Sequence, residues 1–212
     1  MNVARWYFDL ISPYAYLHLK QFGRLPHDME IEYVPVLFAG LLAHWGQKGP
    51  AEIAPKRRHT YRQVVWLARH LDIPFRMPPQ HPFNPLHALR LLLAAGPTQE
   101  RAEIAFDMVW KEGRDLQSQS SLAELGRRLG IGDAEGELKD AAVKQRLRDN
   151  TDEAIRSGIF GVPTFLVDGE IFWGQDSLEM MLEYLRNPAV FNSPEMRQAD
   201  SIPVGASRSE HR

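Results

Sequence analysis

The 212-residue chain contains no cysteine. That excludes an enzyme that cycles its own thiols between dithiol and disulfide, because the exchange needs a protein sulfur. Any sulfur that reacts here must arrive on a ligand. A cysteine-free composition fits a reducing compartment, and the chain is expected to be cytoplasmic. No apolar run approaches the roughly 20 residues needed to cross a bilayer. The first residues show no basic segment followed by an apolar stretch, so no secretory signal is expected. With 25 basic and 27 acidic residues, net charge −2, no global field points to nucleic acid or an anionic membrane. The eight histidines lack metal-ligand spacing, with no carboxylate pattern beside them. The stretch from Gly158 to Gly161 lacks the lysine of a phosphate-binding loop.

What is present is an ordinary globular composition, 44% hydrophobic and 25% charged. The N-terminal segment reads as a strand over 3–8, a helix over 13–25 and a second strand over 31–36. Ser12 can cap the helix, and Pro13 tolerates its first position because the missing N–H needs no partner there. Pro35 cannot donate to a central ladder and marks the end of the second strand. Two strands joined by such a helix imply a parallel pair. From residue 38 to 157 apolar residues recur at helical spacing and no strand pattern appears. Helices are expected over 56–71, 86–95, 99–111, 122–129 and 139–157, divided by Gly and Pro clusters. After Gly158, Thr164 to Val167 and Glu170 to Trp173 flank Asp168-Gly169, a strong hairpin signal. A last helix is expected over 176–186, and disorder beyond it.

The order β-α-β, helices, β-β-α gives an α/β, thioredoxin-like fold with an all-helical insertion between its halves. Residues 1–37 and 158–187 would form the thioredoxin-like domain, 38–157 the insertion and 188–212 a disordered tail. Three patches sharpen this. They are Phe8-Asp9-Leu10-Ile11-Ser12-Pro13-Tyr14, Phe160-Gly161-Val162-Pro163-Thr164-Phe165 and Trp173-Gly174-Gln175-Asp176-Ser177. Together they resemble the 2-hydroxychromene-2-carboxylate isomerase family, glutathione-dependent enzymes related to DsbA-like proteins and kappa-class glutathione transferases. Where DsbA-like relatives carry Cys-x-x-Cys, this chain has Ser12 and Ala15.

The resemblance implies glutathione as cofactor and Ser12 as the catalytic residue facing its sulfur. It implies that the backbone of Val162, before a cis-Pro163, pairs with the cysteinyl part. Trp173, Gly174, Gln175, Asp176 and Ser177 would hold the γ-glutamyl end. A reaction follows from the resemblance: reversible thiolate addition interconverts 2-hydroxychromene-2-carboxylate-type aromatic substrates and trans-o-hydroxybenzylidenepyruvate. Depressing a thiol pKa by about two units requires roughly 2.7 kcal/mol. A helix N-terminus supplies about 0.3–1 kcal/mol and a hydrogen bond to a charged group about 1.5–3 kcal/mol, so both are needed. An aromatic substrate would meet Tyr14, Phe38, Leu41, Leu42, Trp45 or Trp66, with Asn84 and Arg90 near the cleft. Its carboxylate would need Arg57, Arg58 or Arg62.

Each residue also has a plainer reading. Ser12 and Asp176 are favoured helix caps, and Pro163 can serve a turn alone. The aromatic set can be core and the arginines a solvated helix face. Family isomerases carry a lysine after strand two and an Asn-Arg pair beyond Gly-Pro. Near those places this chain has Leu41-Leu42-Ala43-His44 and Ala51-Glu52-Ile53. That leaves two alternatives standing: a kappa-class-like transferase or peroxidase, and a non-catalytic thioredoxin-fold module that binds extended peptides. The partners expected are a small aromatic molecule and a second copy of the chain, with no nucleic acid and no membrane.

Overall fold

The first strand, β1 (Ala4–Phe8), buries Ala4, Trp6 and Phe8 on one face and Tyr7 on the other, where only Arg5 reaches solvent to pair with Glu32 and Glu153. Trp6 and Phe8 enter the larger core with Phe106 and Phe165, while Tyr7 turns to a smaller one with Val34, Val36, Leu41 and Ile159. This is the period-two alternation of a strand buried on both sides. In the computed structural model, which describes residues 3–206, β1 lies inside one mixed sheet of order β2-β1-β3-β4. It pairs parallel with β2 (Ile31–Pro35) and antiparallel with β3 (Thr164–Val167), which pairs antiparallel with β4 (Glu170–Trp173). β2 is an edge strand, as the proline at its end requires. Asp168 and Gly169 both take positive φ in the hairpin turn, which that two-residue connection needs.

The helices of the N-terminal half and the insertion are α1 (Pro13–Leu19), α2 (Phe38–His44), α3 (Ala54–His70), α4 (Leu86–Ala95), α5 (Gln99–Phe106), α6 (Gln119–Arg128), α7 (Ala134–Lys139) and α8 (Ala141–Arg156). After the hairpin come α9 (Leu178–Arg186) and α10 (Pro194–Asp200). The helix expected over 13–25 ends at Leu19, and a separate 3₁₀ turn covers Phe22–Arg24. Helices α2 and α7 go beyond the sequence pattern. Each is one or two turns, too short for its periodicity to stand out. The expected 99–111 helix is α5 continued by a π turn over Asp107–Lys111. The helix expected over 176–186 begins at Leu178, after a 3₁₀ turn over Gln175–Ser177. Asp176 is therefore not its cap, and Ser177 holds that position without its side chain bonding to the helix N–H groups.

Disorder from residue 187 is also corrected. A 3₁₀ turn spans Pro188–Asn192, and Phe191 packs on Phe172 and Tyr184 at 5.8 and 5.1 Å between ring centroids. Helix α10 follows, capped by Ser193. Apolar residues 190 and 191 supply the burial that composition alone hides. Positions 207–212 of the expected tail lie outside the described residues.

Candidate active site

The β1–α1 loop brings Ser12 to the start of α1. Its Oγ accepts the Ala15 N–H at 3.2 Å, so the capping reading holds. The same hydroxyl donates to the Val162 carbonyl at 3.4 Å, across from the β3 side. The Val162–Pro163 peptide is cis, and the Pro163 carbonyl accepts the Gly174 N–H at 2.9 Å. Ser177 Oγ in turn donates to the Gly174 carbonyl at 2.8 Å. The three patches thus form one continuous ledge: Ser12, Val162, Pro163, Gly174, Ser177. Gly174 sits at φ +90, a conformation that calls for glycine. A Cβ on Gly161 would come within 2.5 Å of Trp173 Nε1. Gln175 Oε1 accepts from Gln21 Nε2 at 3.3 Å. Trp173 is half-exposed against Phe160, and Asp176 is exposed.

On the other side of Ser12 a cavity of about 640 Å³ opens between the thioredoxin half and the insertion. Its walls are mainly apolar: Ile11, Pro13, Leu37, Phe38, Leu42, Phe83 and Leu86. Of the residues expected to meet substrate, Tyr14, Phe38, Leu42 and Asn84 line it. Tyr14 donates to Gln63 Oε1 at 2.8 Å, and burial pushes its phenol pKa up, with Asp176 adding to the rise. Asn84 Oδ1 caps the Leu86 N–H at 3.0 Å.

The others lie elsewhere. Trp45 ends α2 and gives its indole N–H to the Ile159 carbonyl at 3.0 Å. Leu41 is core, and Trp66 stacks on His70 at the surface. Arg57, Arg58 and Arg62 are exposed on α3, with Arg57 bonded to the Ala51 carbonyl. Arg90 is half-buried on α4, outside the cavity wall.

The sequence reading gives no role to three cavity residues. Asp9 is 1% exposed, and its carboxylate accepts the Ile11 N–H at 3.0 Å and the Phe38 N–H at 2.8 Å. Burial pushes its pKa up to about 7 against those two bonds, since taking a charge out of water costs more than two N–H groups return. The Asx turn onto residue 11 is the local signal that could have found it. His81 joins the wall from the α3–α4 connection, its pKa lowered by burial. Glu52 closes the far edge and accepts the Gly49 N–H at 2.5 Å. The acidic residues lining the cavity are thus Asp9 and Glu52, with no lysine or arginine among the described residues of its wall. Among the described residues no group of His, Asp or Glu is arranged to hold a metal. No described helix is long and apolar enough to cross a membrane.

A family model described as a DSBA-like thioredoxin domain matches residues 5–186. Glutathione S-transferase kappa 2 of Caenorhabditis elegans is 30% identical over 212 residues, covering 88% of this chain and 93% of that protein. A 2-hydroxychromene-2-carboxylate isomerase of Sphingobium xenophagum is 29% identical over 188 residues, covering 85% and 96%. Among solved structures, one of a 2-hydroxychromene-2-carboxylate isomerase superposes with a TM-score of 0.78 at 24% identity. It covers 95% of this chain and all of that one, which shows the shared fold.

Proposed function

Because this chain belongs to the DSBA-like thioredoxin domain family, alongside kappa-class glutathione transferases and 2-hydroxychromene-2-carboxylate isomerases, we propose that it is a glutathione-dependent enzyme acting on an aromatic electrophile. The observation that carries this reading is the position of Ser12 Oγ, where the Val162–Ser177 ledge meets the apolar cavity. The ledge suits a peptide-like ligand: it offers the Val162 carbonyl, a glycine at positive φ, and a free-standing Asp176 carboxylate for an ammonium group. When bound, glutathione supplies a thiolate that adds to an electron-poor carbon.

The protein's own work falls to a few groups. The Ser12 hydroxyl spans 3.4 Å to Val162, a long bond, so its hydrogen turns to a sulfur at little cost. Helix α1 has seven residues and opens on a proline without an N–H. The hydroxyl therefore carries the larger share, about 1.5–3 kcal/mol, against about 0.3–1 kcal/mol from the helix end. Phe38, Leu42 and Phe83 keep water from the reacting carbon, which strengthens that hydrogen bond. Val162 and the 174–177 turn hold the tripeptide; Tyr14 and Asn84 face the aromatic partner.

Isomerisation of a 2-hydroxychromene-2-carboxylate is the first reading of the reaction, and it leaves glutathione unchanged. A kappa-type transfer or peroxide reduction is the second, favoured by the two acids and the missing cation of the cavity wall. Such a wall admits an uncharged electrophile more readily than a carboxylate. Calorimetric titration with reduced glutathione tests the shared premise: saturable binding, weakened by Asp176→Ala, is expected. Absence of binding at millimolar glutathione would sink both readings and leave the peptide-binding module. Glutathione consumption with a neutral aryl electrophile, against absorbance change with a chromene carboxylate, then separates the two. A cytoplasmic homodimer belongs to the same proposal, and sedimentation tests the dimer.

A further inference from the structure

The peptide groups just before Ser12 are held by side chains from both halves of the molecule. The Ile11 N–H donates to Asp9 Oδ1 at 3.0 Å, and the Ile11 carbonyl accepts from His81 Nε2 at 2.9 Å. Asp9 reaches further: its other oxygen takes the Phe38 N–H at 2.8 Å, and its backbone carbonyl takes the Ser12 N–H at 3.0 Å. His81 is itself held. A carbonyl can only accept, so Nε2 carries the hydrogen and Nδ1 is left as an acceptor. The Tyr61 hydroxyl, on α3, stands 2.7 Å from that Nδ1 and 2.6 Å from the His81 carbonyl. The Ile11 carbonyl fixes that tautomer, and the single Tyr61 hydrogen is shared between Nδ1 and the His81 carbonyl, bracing the ring from the α3 side.

We infer that Asp9 and the Tyr61–His81 pair form a clamp on the Ile11 peptide that positions the Ser12 hydroxyl for thiol activation; this rests on the glutathione reading above. Buried N–H and C=O groups need partners in any fold, and neutral acceptors would meet that need. A buried carboxylate with no cation paired to it among the described residues is a costly way to do so. What the carboxylate adds is two strong acceptors in a fixed plane, joining the Ser12 turn to the start of α2. Histidine and tyrosine oppose it from the α3 side. A hydroxyl that must aim at a sulfur gains from both, because a small misplacement weakens the bond to the developing anion.

The test is the pKa of glutathione bound to the protein, read from thiolate absorbance across pH, with affinity measured in parallel by calorimetry. His81→Phe is expected to bind glutathione within about threefold of wild type, while the bound thiol pKa rises by about one unit, tenfold less thiolate below it. His81→Gln, whose amide N–H reaches toward the same carbonyl, is expected to recover most of the loss; Asp9→Asn shifts the thiol the same way as His81→Phe. Should His81→Phe fail to fold, Tyr61→Phe removes one hydroxyl from a half-buried ring. Its bound thiol pKa should rise, with glutathione affinity within about threefold of wild type. An unchanged thiol pKa in His81→Phe or in Tyr61→Phe, or a Gln variant no better than Phe, overturns the clamp while glutathione binding stands. A wild-type protein that binds no glutathione overturns the functional reading first, and the clamp with it.

Discussion

The two sides of Ser12 are built differently. On the ledge side, Val162 to Ser177, residues close in sequence are tied to the backbone: the Gly174 N–H donates to the Pro163 carbonyl, and Ser177 Oγ to the Gly174 carbonyl. On the cavity side, the wall draws from segments near residues 9–14, 37–42, 49–52, 60 and 81–86, and side chains do the fastening. Trp110 Nε1 donates to the Leu10 carbonyl at 2.9 Å, across 100 residues, and Thr151 Oγ1 accepts the Leu37 N–H at 3.0 Å. On the proposed reading, one side would recognise glutathione through backbone shape, while the other is set by packing and charge. The first tolerates few changes; the second can be re-tuned residue by residue.

The strongest test of this division acts at its boundary. Ser12→Ala should lower kcat roughly 10- to 150-fold, the equivalent of about 1.5–3 kcal/mol, with glutathione affinity nearly unchanged. Steady-state kinetics beside calorimetry decide it, and an equal fall in both would make Ser12 structural. Asp9 gives the next effect. Its folded pKa of about 7 lies above the unfolded value, so the folded state holds the proton more tightly. Stability is then lost as pH rises from about 4 to 7, and levels off above.

Between pH 5 and pH 8 the loss is about 2.7 kcal/mol, and Asp9→Asn should remove it. Buried His18, its pKa pushed down to about 3, slopes the opposite way, stability rising with pH toward the unfolded value. The quantity to read is therefore the difference between wild-type and variant denaturation at the two pH values.

Asp176→Ala acts chiefly on the ledge. Glutathione should bind about fivefold more weakly, about 1 kcal/mol for an exposed charge contact, with kcat at saturation preserved. Glu52→Gln touches the cavity alone. It keeps an acceptor for the Gly49 N–H and removes one negative charge. KM for a carboxylate-bearing electrophile should fall about two- to fivefold, about 0.5–1 kcal/mol, while a neutral electrophile is unaffected. A matching change for both substrates would show that charge does not set the cavity's preference.

Strong local signals are legible in the amino-acid order. Ser12-Pro13 announces a capped helix start, Val-Pro before an Asp-Gly hairpin points to the 162–173 turn and strands, and alternation in β1 places Tyr7 opposite Trp6 and Phe8. Short helices such as α2 and α7 are not legible there, nor is the packing of Phe191 that orders residues 188–200. Local propensity in one or two turns is too weak to stand out until tertiary contacts add to it.

The fold, the lack of a protein thiol and the three patches of the ledge are therefore properties of the chain's own order, because each depends on residue types and on neighbours close along the chain. Which aromatic residues face the cavity is instead a matter of long-range packing. Packing turns Trp45 and Leu41 away, leaves Arg57 outside the wall, and brings Asp9, Tyr61 and His81 together on Ile11. Those choices depend on burial and on hydrogen bonds between groups tens of residues apart, which no local pattern records.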